Sequence, residues 1–276
     1  MHRLAPTFLA TALLLAACSD APRRAADGDG VAAGSPSMLR NMVSAEQVNK
    51  AAAQQYSALK EAARDKGVLV ANDDPRQQRL REIAARILPY AERHNADAAA
   101  WRWEVILVDS RQLNASCMPG GKITFYTGLI EQLKLTDDEI AIVMGHEIAH
   151  ALLEHARERI AKGQLTSIGA VIIGELLGGG IATSALRTGG NLMTLKFSRD
   201  DESEADIIGL DLAARAGYDP RAGISLWRKM GAAAKDAPPG WLSTHPAGDD
   251  RIAEIERYLP DVMPLYEAAR QKPPGR

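Results

Sequence analysis

Two histidines and a glutamate stand close together in an otherwise apolar segment, and their spacing could hold a metal ion. His146 and His150 are four residues apart, so on a helix they share one face, with Cβ atoms roughly 5–6 Å apart. Both imidazoles can then reach one zinc ion at the ~2.0–2.1 Å that zinc prefers. Glu147 lies about 100° further round the helix, where it could take a proton from water and later give it to a leaving amine. The spacing therefore predicts a metal site suited to amide hydrolysis.

The setting of these residues favours a metal over three incidental polar groups. In residues 140–153 only His146, Glu147 and His150 are neither apolar nor glycine, so the helix should be buried on all sides. Buried ionisable groups are costly unless they are paired or bind a metal. The H-E-x-x-H spacing alone would arise by accident on the order of once in a hundred such chains, so the apolar setting is the stronger argument.

A catalytic zinc needs a third protein ligand and keeps its fourth position for water. Residues 198–209 (SRDDESEADIIG) supply many acids, and helical angles separate them. Glu202 falls on the small, apolar face and is the predicted ligand, while Asp206, one turn later, is placed to accept the free N–H of a ligand histidine. The solvent-facing side carries the other charged groups: Glu204, Asp211 and Arg215. A solvated acidic helix start would explain the remaining acids, but not two carboxylates on the core face.

The elements that must position these residues are predicted to be mainly helical. Helical spacing predicts helices over residues 44–65, 75–95, 137–162, 200–216, 221–235 and 249–258. Thr136 and Glu139 form a capping box that starts the third of them. Residues 103–108 and 122–127 are β-rich and predict two strands joined by a loop over residues 114–121. The predicted fold class is α+β, mainly helical, with a small β-sheet.

Length and charge limit the classes of protein to which the chain can belong. The chain has 276 residues and a formal net charge of -2, and it contains no long basic stripe, so a nucleic-acid partner is not expected. Its length suits one main domain. Residues 168–186 are apolar enough to suggest a membrane span, but they contain Glu175 and several glycines. A buried or flexible helical insert near the site is therefore favoured.

The N-terminus predicts export. Residues 1–17 have a basic start and an apolar run too short to cross a bilayer, which is typical of a signal peptide. Residues 15–18 (LAAC) resemble the lipobox of bacterial lipoproteins, which implies that Cys18 carries a diacylglycerol and that Cys117 is a lone thiol. The alternative is a plain secretory signal with an incidental cysteine. Residues 18–37 are predicted to be a flexible tether, followed by one domain over residues 38–276.

Four blocks of the sequence occur in a familiar order: NASCMPGGKITFYTGLI, HEIAH, SRDDESEADIIG and STHPAGDDRI. Over residues 74–259 they resemble the gluzincin metallopeptidases that include the CAAX prenyl protease, HtpX and the periplasmic lipoprotein peptidases of the LoiP and BepA kind. The resemblance implies a zincin-like metalloprotease domain with one zinc ion per chain. It also implies the roles already argued: His146, His150 and Glu202 as ligands, Glu147 as general base and acid, and Asp206 behind a ligand histidine.

The two outer blocks take further roles from the resemblance. The first looks like an edge strand that faces the active-site cleft and pairs with the substrate backbone, with Asn114 and Ala115 near the scissile bond; an ordinary hairpin is the alternative. In the last block His245 and Arg251 resemble catalytic residues that approach the metal. His245 could stabilise the oxyanion, or it could occupy the open zinc position and hold the enzyme inactive.

The two remaining histidines of the domain, His94 and His155, have no such context and are predicted to lie on the surface.

Taken with the N-terminus, the resemblance implies a zinc endopeptidase of protein quality control. Its expected substrates are misfolded or misassembled cell-envelope proteins, and its expected place is the periplasmic face of the outer membrane, anchored through lipid on Cys18. The absence of paired transmembrane hairpins and of a tetratricopeptide-like array makes the LoiP-like lipoprotein the type that it resembles. One alternative is a non-catalytic envelope assembly factor or chaperone that retains a structural, His-capped zinc site. Another is a membrane-embedded protease that uses residues 168–186 as a span.

Overall fold

The computed structural model describes residues 23–24, 29–34, 37–176, 192–234, 240–245 and 250–271, with the backbone alone for residues 23–24, 166–176 and 193. The predicted signal peptide and Cys18 lie outside these ranges, as does the second half of the apolar stretch over residues 168–186. Among the described helices, none combines the length and the apolar character needed to cross a membrane.

Helices dominate the described chain, and a small sheet accompanies them. The α-helices are α1 (Ala45–Asp65), α2 (Pro75–Ile87), α3 (Thr127–Gln132), α4 (Asp137–Leu152), α5 (His155–Leu176), α6 (Arg199–Arg215), α7 (Ala222–Ala233), α8 (Gly240–Thr244) and α9 (Arg251–Gln271). The strands are β1 (Arg23–Arg24), β2 (Val31–Ala32), β3 (Glu104–Val108), β4 (Ala115–Met118) and β5 (Lys122–Tyr126). Short 3-10 helices cover Met38–Met42, Leu88–Arg93, Ala96–Ala100 and Leu192–Thr194. The predicted fold class, mainly helical α+β, is confirmed.

The main sheet has three strands, in the order β3, β5, β4. β3 runs parallel to β5, and β4 pairs with β5 in antiparallel register from Ala115 opposite Phe125 to Met118 opposite Lys122. β4 lies where local patterning predicted a loop and where the family resemblance implied an edge strand, and the edge strand is present. The sequence NASCM lacks the β-branched and aromatic residues that signal a strand, and its pairing with β5 is a tertiary contact. The predicted turn is present at Gly120 and Gly121, which have φ values of +76° and +81°.

α4 is the central element of the core, because it is buried along nearly its whole length as predicted. A capping box between Thr136 and Glu139 starts it, and Ser198 and Asp201 start α6 in the same way. The two helices cross where Gly145 faces Gly209, with their backbones in contact. A Cβ at either glycine would lie 2.6 Å from a backbone atom of the opposite helix, so the absence of side chains at this crossing sets the distance between α4 and α6.

The helix predicted over residues 137–162 is interrupted after Leu152 and does not end before Gly163. α4 ends at Leu152, and α5 begins at His155 and continues through Gly163. Between them Glu154 has a φ of +58°, in the left-handed region that only a minority of non-glycine residues adopt. Glu154 forms ion pairs with Arg40 and Arg157, each at 2.8 Å. The break therefore depends on contacts with another part of the chain, which local periodicity does not report.

The last helix is longer than predicted. α9 runs to Gln271 rather than ending near residue 258, and it contains Pro260 and Pro264. Val262, which lies between the two prolines, is completely buried in the core. Tertiary packing thus keeps the segment helical where the prolines alone would end it.

Part of the predicted tether lies on the domain. Residues 29–34 contact the outer face of α6: the Asp29 carboxylate accepts from Arg215 Nη1 at 3.0 Å, and the Gly34 amide donates to Glu204 Oε1 at 3.0 Å. The prediction of a free segment up to residue 37 therefore fails over this stretch.

The same contact overturns the predicted solvent-facing side of α6. The pairing of Asp211 with Arg215 is present at 2.7 Å, but Asp211 has 0% exposure because the N-terminal segment covers it. The amide of Val31 donates to Asp211 Oδ1 at 3.2 Å. Helical angles correctly separated the two faces of α6, but they could not show that a distant segment buries the outer one.

Replacing Gly209 with alanine should destabilise the protein by about 1–3 kcal/mol, the usual cost of overpacking a core, because its Cβ would lie 2.6 Å from the backbone nitrogen of His146. Gly231→Ala in α7 is the matched control, since nothing lies within 4 Å of its added Cβ and alanine favours a helix over glycine by about 1 kcal/mol. Urea denaturation gives the free energy of unfolding of each variant. A Gly209→Ala protein as stable as the native one would contradict the close crossing.

Candidate metal centre

Three predicted ligands meet between α4 and α6. His146 and His150 lie one turn apart on α4, and their Nε2 atoms are 3.0 Å apart. Glu202, in the first turn of α6, places Oε1 3.4 Å from His150 Nε2 and Oε2 3.6 Å from His146 Nε2. The structure therefore brings together the two imidazoles and the carboxylate that helical angles selected.

His245 joins this group from a separate part of the chain. Its Nδ1 lies 3.2 Å from His146 Nε2 and 2.9 Å from Glu202 Oε1. The ring stacks on Trp241, with centroids 4.9 Å apart, and the His245 amide donates to the Trp241 carbonyl at the end of α8. Its nitrogen thus lies at the fourth corner of the ligand set.

The spacing and burial of the four groups fit a zinc ion. Tetrahedral zinc with bonds of ~2.0–2.1 Å holds its ligand atoms roughly 3.3 Å apart, and the five separations given above, which involve both oxygens of Glu202, run from 2.9 to 3.6 Å. His146, His150, Glu202 and His245 are each at most 3% exposed and offer ligand atoms that all lie within 4.8 Å of one another. Such convergence of buried nitrogen and oxygen atoms would be costly without a cation between them.

The pKa shifts of two of the ligands, Glu202 and His150, also suit a metal. Burial lowers the pKa of His245, in contrast, but the nearby carboxylates of Glu147 and Glu202 outweigh it and raise that pKa. Burial raises the pKa of the Glu202 carboxyl, but hydrogen bonds from His150 and His245 outweigh it and hold the pKa well below its usual range. Burial holds the pKa of His150 well below its ordinary value. An ionised carboxylate and a neutral imidazole are the forms in which these side chains bind metals.

Asp206 and Arg251 form a buried charge network behind the ligands. Asp206 Oδ1 lies 2.9 Å from His146 Nδ1, the position expected of a carboxylate that orients a ligand histidine. Arg251 donates to both Asp206 oxygens and to Glu202 Oε2, each at 2.6 Å, and its guanidinium lies over the Trp227 ring. Burial raises the pKa of Asp206, but Arg251 and His146 together hold it below its usual value. Arg251 therefore acts on the ligands through carboxylates rather than by contact with the metal position.

Glu147 is held by a residue that sequence reasoning missed. The indole Nε1 of Trp241 donates to Glu147 Oε1 at 2.6 Å, and His245 Nε2 lies 3.5 Å from the same oxygen. The signal was available in the sequence, because Trp241 stands one helical turn before His245 and both side chains of a short helix can then face the same side. α8 thus brings one group to the metal position and another to the predicted general base.

The predicted substrate strand borders the same space. Ala115 begins β4, at the edge of the sheet, and its amide donates to the side chain of Asn114 at 3.0 Å. A cleft is lined by residues 114–119 together with Glu147 and His245. An edge strand and the predicted general base therefore border the same cleft.

The two histidines predicted to lie on the surface are buried. His94 has a side chain that is 3% exposed, and its Nε2 lies 3.4 Å from Asp211 Oδ2. His155 is 2% exposed, with its Nδ1 2.9 Å from Nδ1 of His150. The burial of His94 was not predicted because it depends on the N-terminal segment, which covers the outer face of α6. The burial of His155 was not predicted because it depends on the break in the helix just before it.

Comparison with known proteins agrees with the four-block resemblance. The model of peptidase family M48 matches residues 74–259. The mitochondrial metalloendopeptidase OMA1 of Arabidopsis thaliana is 41% identical over 151 residues, which are 54% of this chain and 30% of the relative. The OMA1 metalloendopeptidase of Danio rerio is 32% identical over 217 residues, 72% and 44% of the two chains. The beta-barrel assembly-enhancing protease of Yersinia pestis is 27% identical over 190 residues, which are 64% of this chain and 38% of the relative. The chain spans less than half the length of these relatives.

Glu202→Gln should lower zinc affinity by more than about a hundredfold. Loss of a residue that only hydrogen-bonds to a metal ligand already costs roughly 10–100-fold in affinity, and this substitution removes a ligand itself. The matched control is Asp200→Asn, which removes an exposed carboxylate from the same turn of α6 and should bind zinc as the native protein does. Competition with a chromophoric chelator measures the affinity. Native-like binding by Glu202→Gln would exclude it as a ligand.

Proposed function

The chain belongs to peptidase family M48, and from this premise we propose that it is a zinc-dependent endopeptidase. The observation that carries the proposal is that one cleft is lined by two members of the convergent ligand set, His150 and His245, by the buried Glu147 and by the edge strand β4. A metal site that served structure alone would need neither the carboxylate nor the strand.

Each group of the site would have a separate role in peptide hydrolysis. Bound zinc would supply Lewis acidity, which polarises a carbonyl and lowers the pKa of water to about 7. Glu147 would take the proton from the attacking water on its carboxylate and pass it to the nitrogen of the leaving amine, as general base and then general acid. Asp206 would keep the proton of His146 on Nδ1, so that Nε2 keeps its lone pair for the metal.

Substrate binding is proposed to occur by strand addition. A peptide that pairs with the edge of β4 would lie extended along the cleft, with its carbonyls near Asn114 and Ala115 and within reach of Glu147. Main-chain hydrogen bonds of this kind depend little on sequence, but they require an extended backbone. Unfolded segments of proteins are therefore the substrates that this geometry favours.

The cellular role rests on the sequence together with one relative. The LAAC segment supports lipidation of Cys18 and an anchor on the periplasmic face of the envelope, and Ser19 in place of an aspartate after the cysteine favours the outer membrane. The Yersinia pestis relative is named a beta-barrel assembly-enhancing protease. We therefore propose misfolded or misassembled envelope proteins as substrates, with the anchor keeping the site next to them.

His245 supports a second candidate function. Its Nδ1 lies where water would have to bind, 2.9 Å from Glu202 Oε1, so the site as described is capped. A protein that never released this cap would hold zinc without cleaving peptides and would act as an assembly factor or chaperone. If His245 is the cap, the endopeptidase requires that α8 withdraw His245, and Trp241 with it, when a substrate enters.

Glu147→Gln should keep zinc and lose cleavage by about 10²–10⁴-fold, the usual contribution of general acid–base catalysis. The measurement is chelator-sensitive cleavage of a fluorescently labelled unfolded protein, with the zinc content determined on the same sample. Asp200→Asn, which alters an exposed acid, should cleave at the native rate. Cleavage at the native rate by the Glu147→Gln variant would contradict the proposed mechanism.

His245→Ala tests the cap. If the ring blocks the fourth position, its removal should leave zinc bound by the other three ligands and raise the rate of cleavage. A fall in the rate with unchanged zinc content would instead assign His245 to oxyanion stabilisation. Tightly bound zinc without cleavage by either the native protein or this variant would favour the assembly factor.

A further inference from the structure

We propose that His155 and Glu204 are positioning residues that hold His150 in the tautomer able to bind the metal. They do so through a buried chain of hydrogen bonds that ends on the N-terminal segment, residues 29–34. The inference rests on the proposed function in one respect, because it takes the four-residue cluster to be a metal centre. It concerns residues that the peptidase mechanism itself does not use.

The chain of contacts is continuous. His150 Nδ1, the ring nitrogen that faces away from the cluster, lies 2.9 Å from His155 Nδ1. On the other side of the ring, His155 Nε2 lies 3.3 Å from Glu204 Oε2. The side chain of Glu204 is 13% exposed, so water does not compete freely for these positions.

The protons along this chain can be placed in only one order that leaves His150 ready for a metal. Its Nε2 must carry the lone pair, so its Nδ1 carries the proton and donates to His155. His155 must accept on Nδ1, so its own proton is on Nε2 and donates to the Glu204 carboxylate, which only accepts. A carboxylate at the far end therefore fixes the tautomer of both rings.

The break between α4 and α5 creates this contact. In a continuous helix His155 would lie five residues after His150, about 140° away round the axis and roughly 7.5 Å along it, with its ring pointing elsewhere. The left-handed residue Glu154 turns the chain instead and brings His155 back onto His150. The unusual backbone conformation thus has a specific consequence at the metal centre.

The two ligand histidines on α4 are supported from opposite sides of α6. His146 contacts Asp206 directly. Glu204 lies two residues earlier, about 200° away round the helix, so it cannot reach a ligand ring itself, and His155 spans the gap. Both oxygens of Glu204 are in use, because Oε1 accepts from the amide of Gly34 at 3.0 Å. An amide in place of this carboxylate would satisfy only one of the two donors.

The chain also contains a matched control for this arrangement. His94 is buried like His155 and faces a carboxylate of α6, with its Nε2 3.4 Å from Asp211 Oδ2. In the described part of the chain, neither His94 nor Asp211 contacts a member of the ligand cluster. Loss of the His94 ring should therefore affect stability without affecting the metal.

The experiment compares zinc affinity, measured by chelator competition, across four variants. His155→Leu should lower it by about 10–100-fold. His155→Asn, whose amide oxygen can accept from His150 Nδ1, should recover most of this loss. Glu204→Gln should weaken binding several-fold, and His94→Leu should leave it unchanged. The visible spectrum of the cobalt-substituted protein should change for His155→Leu and not for His94→Leu.

Three results would overturn the proposal: native affinity in His155→Leu, equal losses in His155→Leu and His155→Asn, or an equal loss in His94→Leu. The first would remove His155 from the metal centre, and the other two would assign it to packing alone. Because affinity is measured without cleavage, a native protein that binds zinc but cleaves no substrate would defeat the endopeptidase and leave this test intact. A native protein that binds no zinc would overturn both.

Discussion

The close crossing of α4 and α6 is the contact on which the metal centre depends. Gly145 and Gly209 let the two backbones touch, and this fixes how far the histidines of α4 lie from the carboxylates of α6. Two helices with ordinary side chains at the contact pack 8–10 Å apart, which would separate His146 from Glu202. The ligand geometry is therefore set by the absence of side chains at one point on each helix.

Burial of charge explains the elements that surround this crossing. Glu202 and Asp206 face the core, where an unpaired carboxylate would be strongly destabilising, and Arg251 at the start of α9 neutralises both. On the outer face Asp211 is paired with Arg215 and covered by residues 29–34. α6 thus carries acids on two sides. Those on the core side pair with Arg251 of α9, and Asp211 on the outer side accepts from the segment of residues 29–34.

Two short segments bring remote residues to the site. α8 presents His245 to the ligands and Trp241 to Glu147, so one movement of this segment would free both the fourth position and the general base. The turn at Glu154 brings His155 to His150. The position of α8 therefore determines whether the fourth position is open, and the turn at Glu154 positions the residue that contacts His150.

The sequence by itself determined the elements and residues whose relation is local. α1, α6 and α7 lie within about two residues of their predicted bounds, and His146, His150 and Glu202 meet as helical angles indicated, because a helix fixes the direction of each side chain from its position alone. Tertiary structure decided the end of α4, strand β4, the burial of His94, His155 and Asp211, and the place of His245. Except for β4, which pairs with the neighbouring strand β5, each of these depends on a segment distant in sequence, such as Arg40 beside Glu154 or residues 29–34 over α6. Periodicity within one element contains no information about which distant segment will cover it.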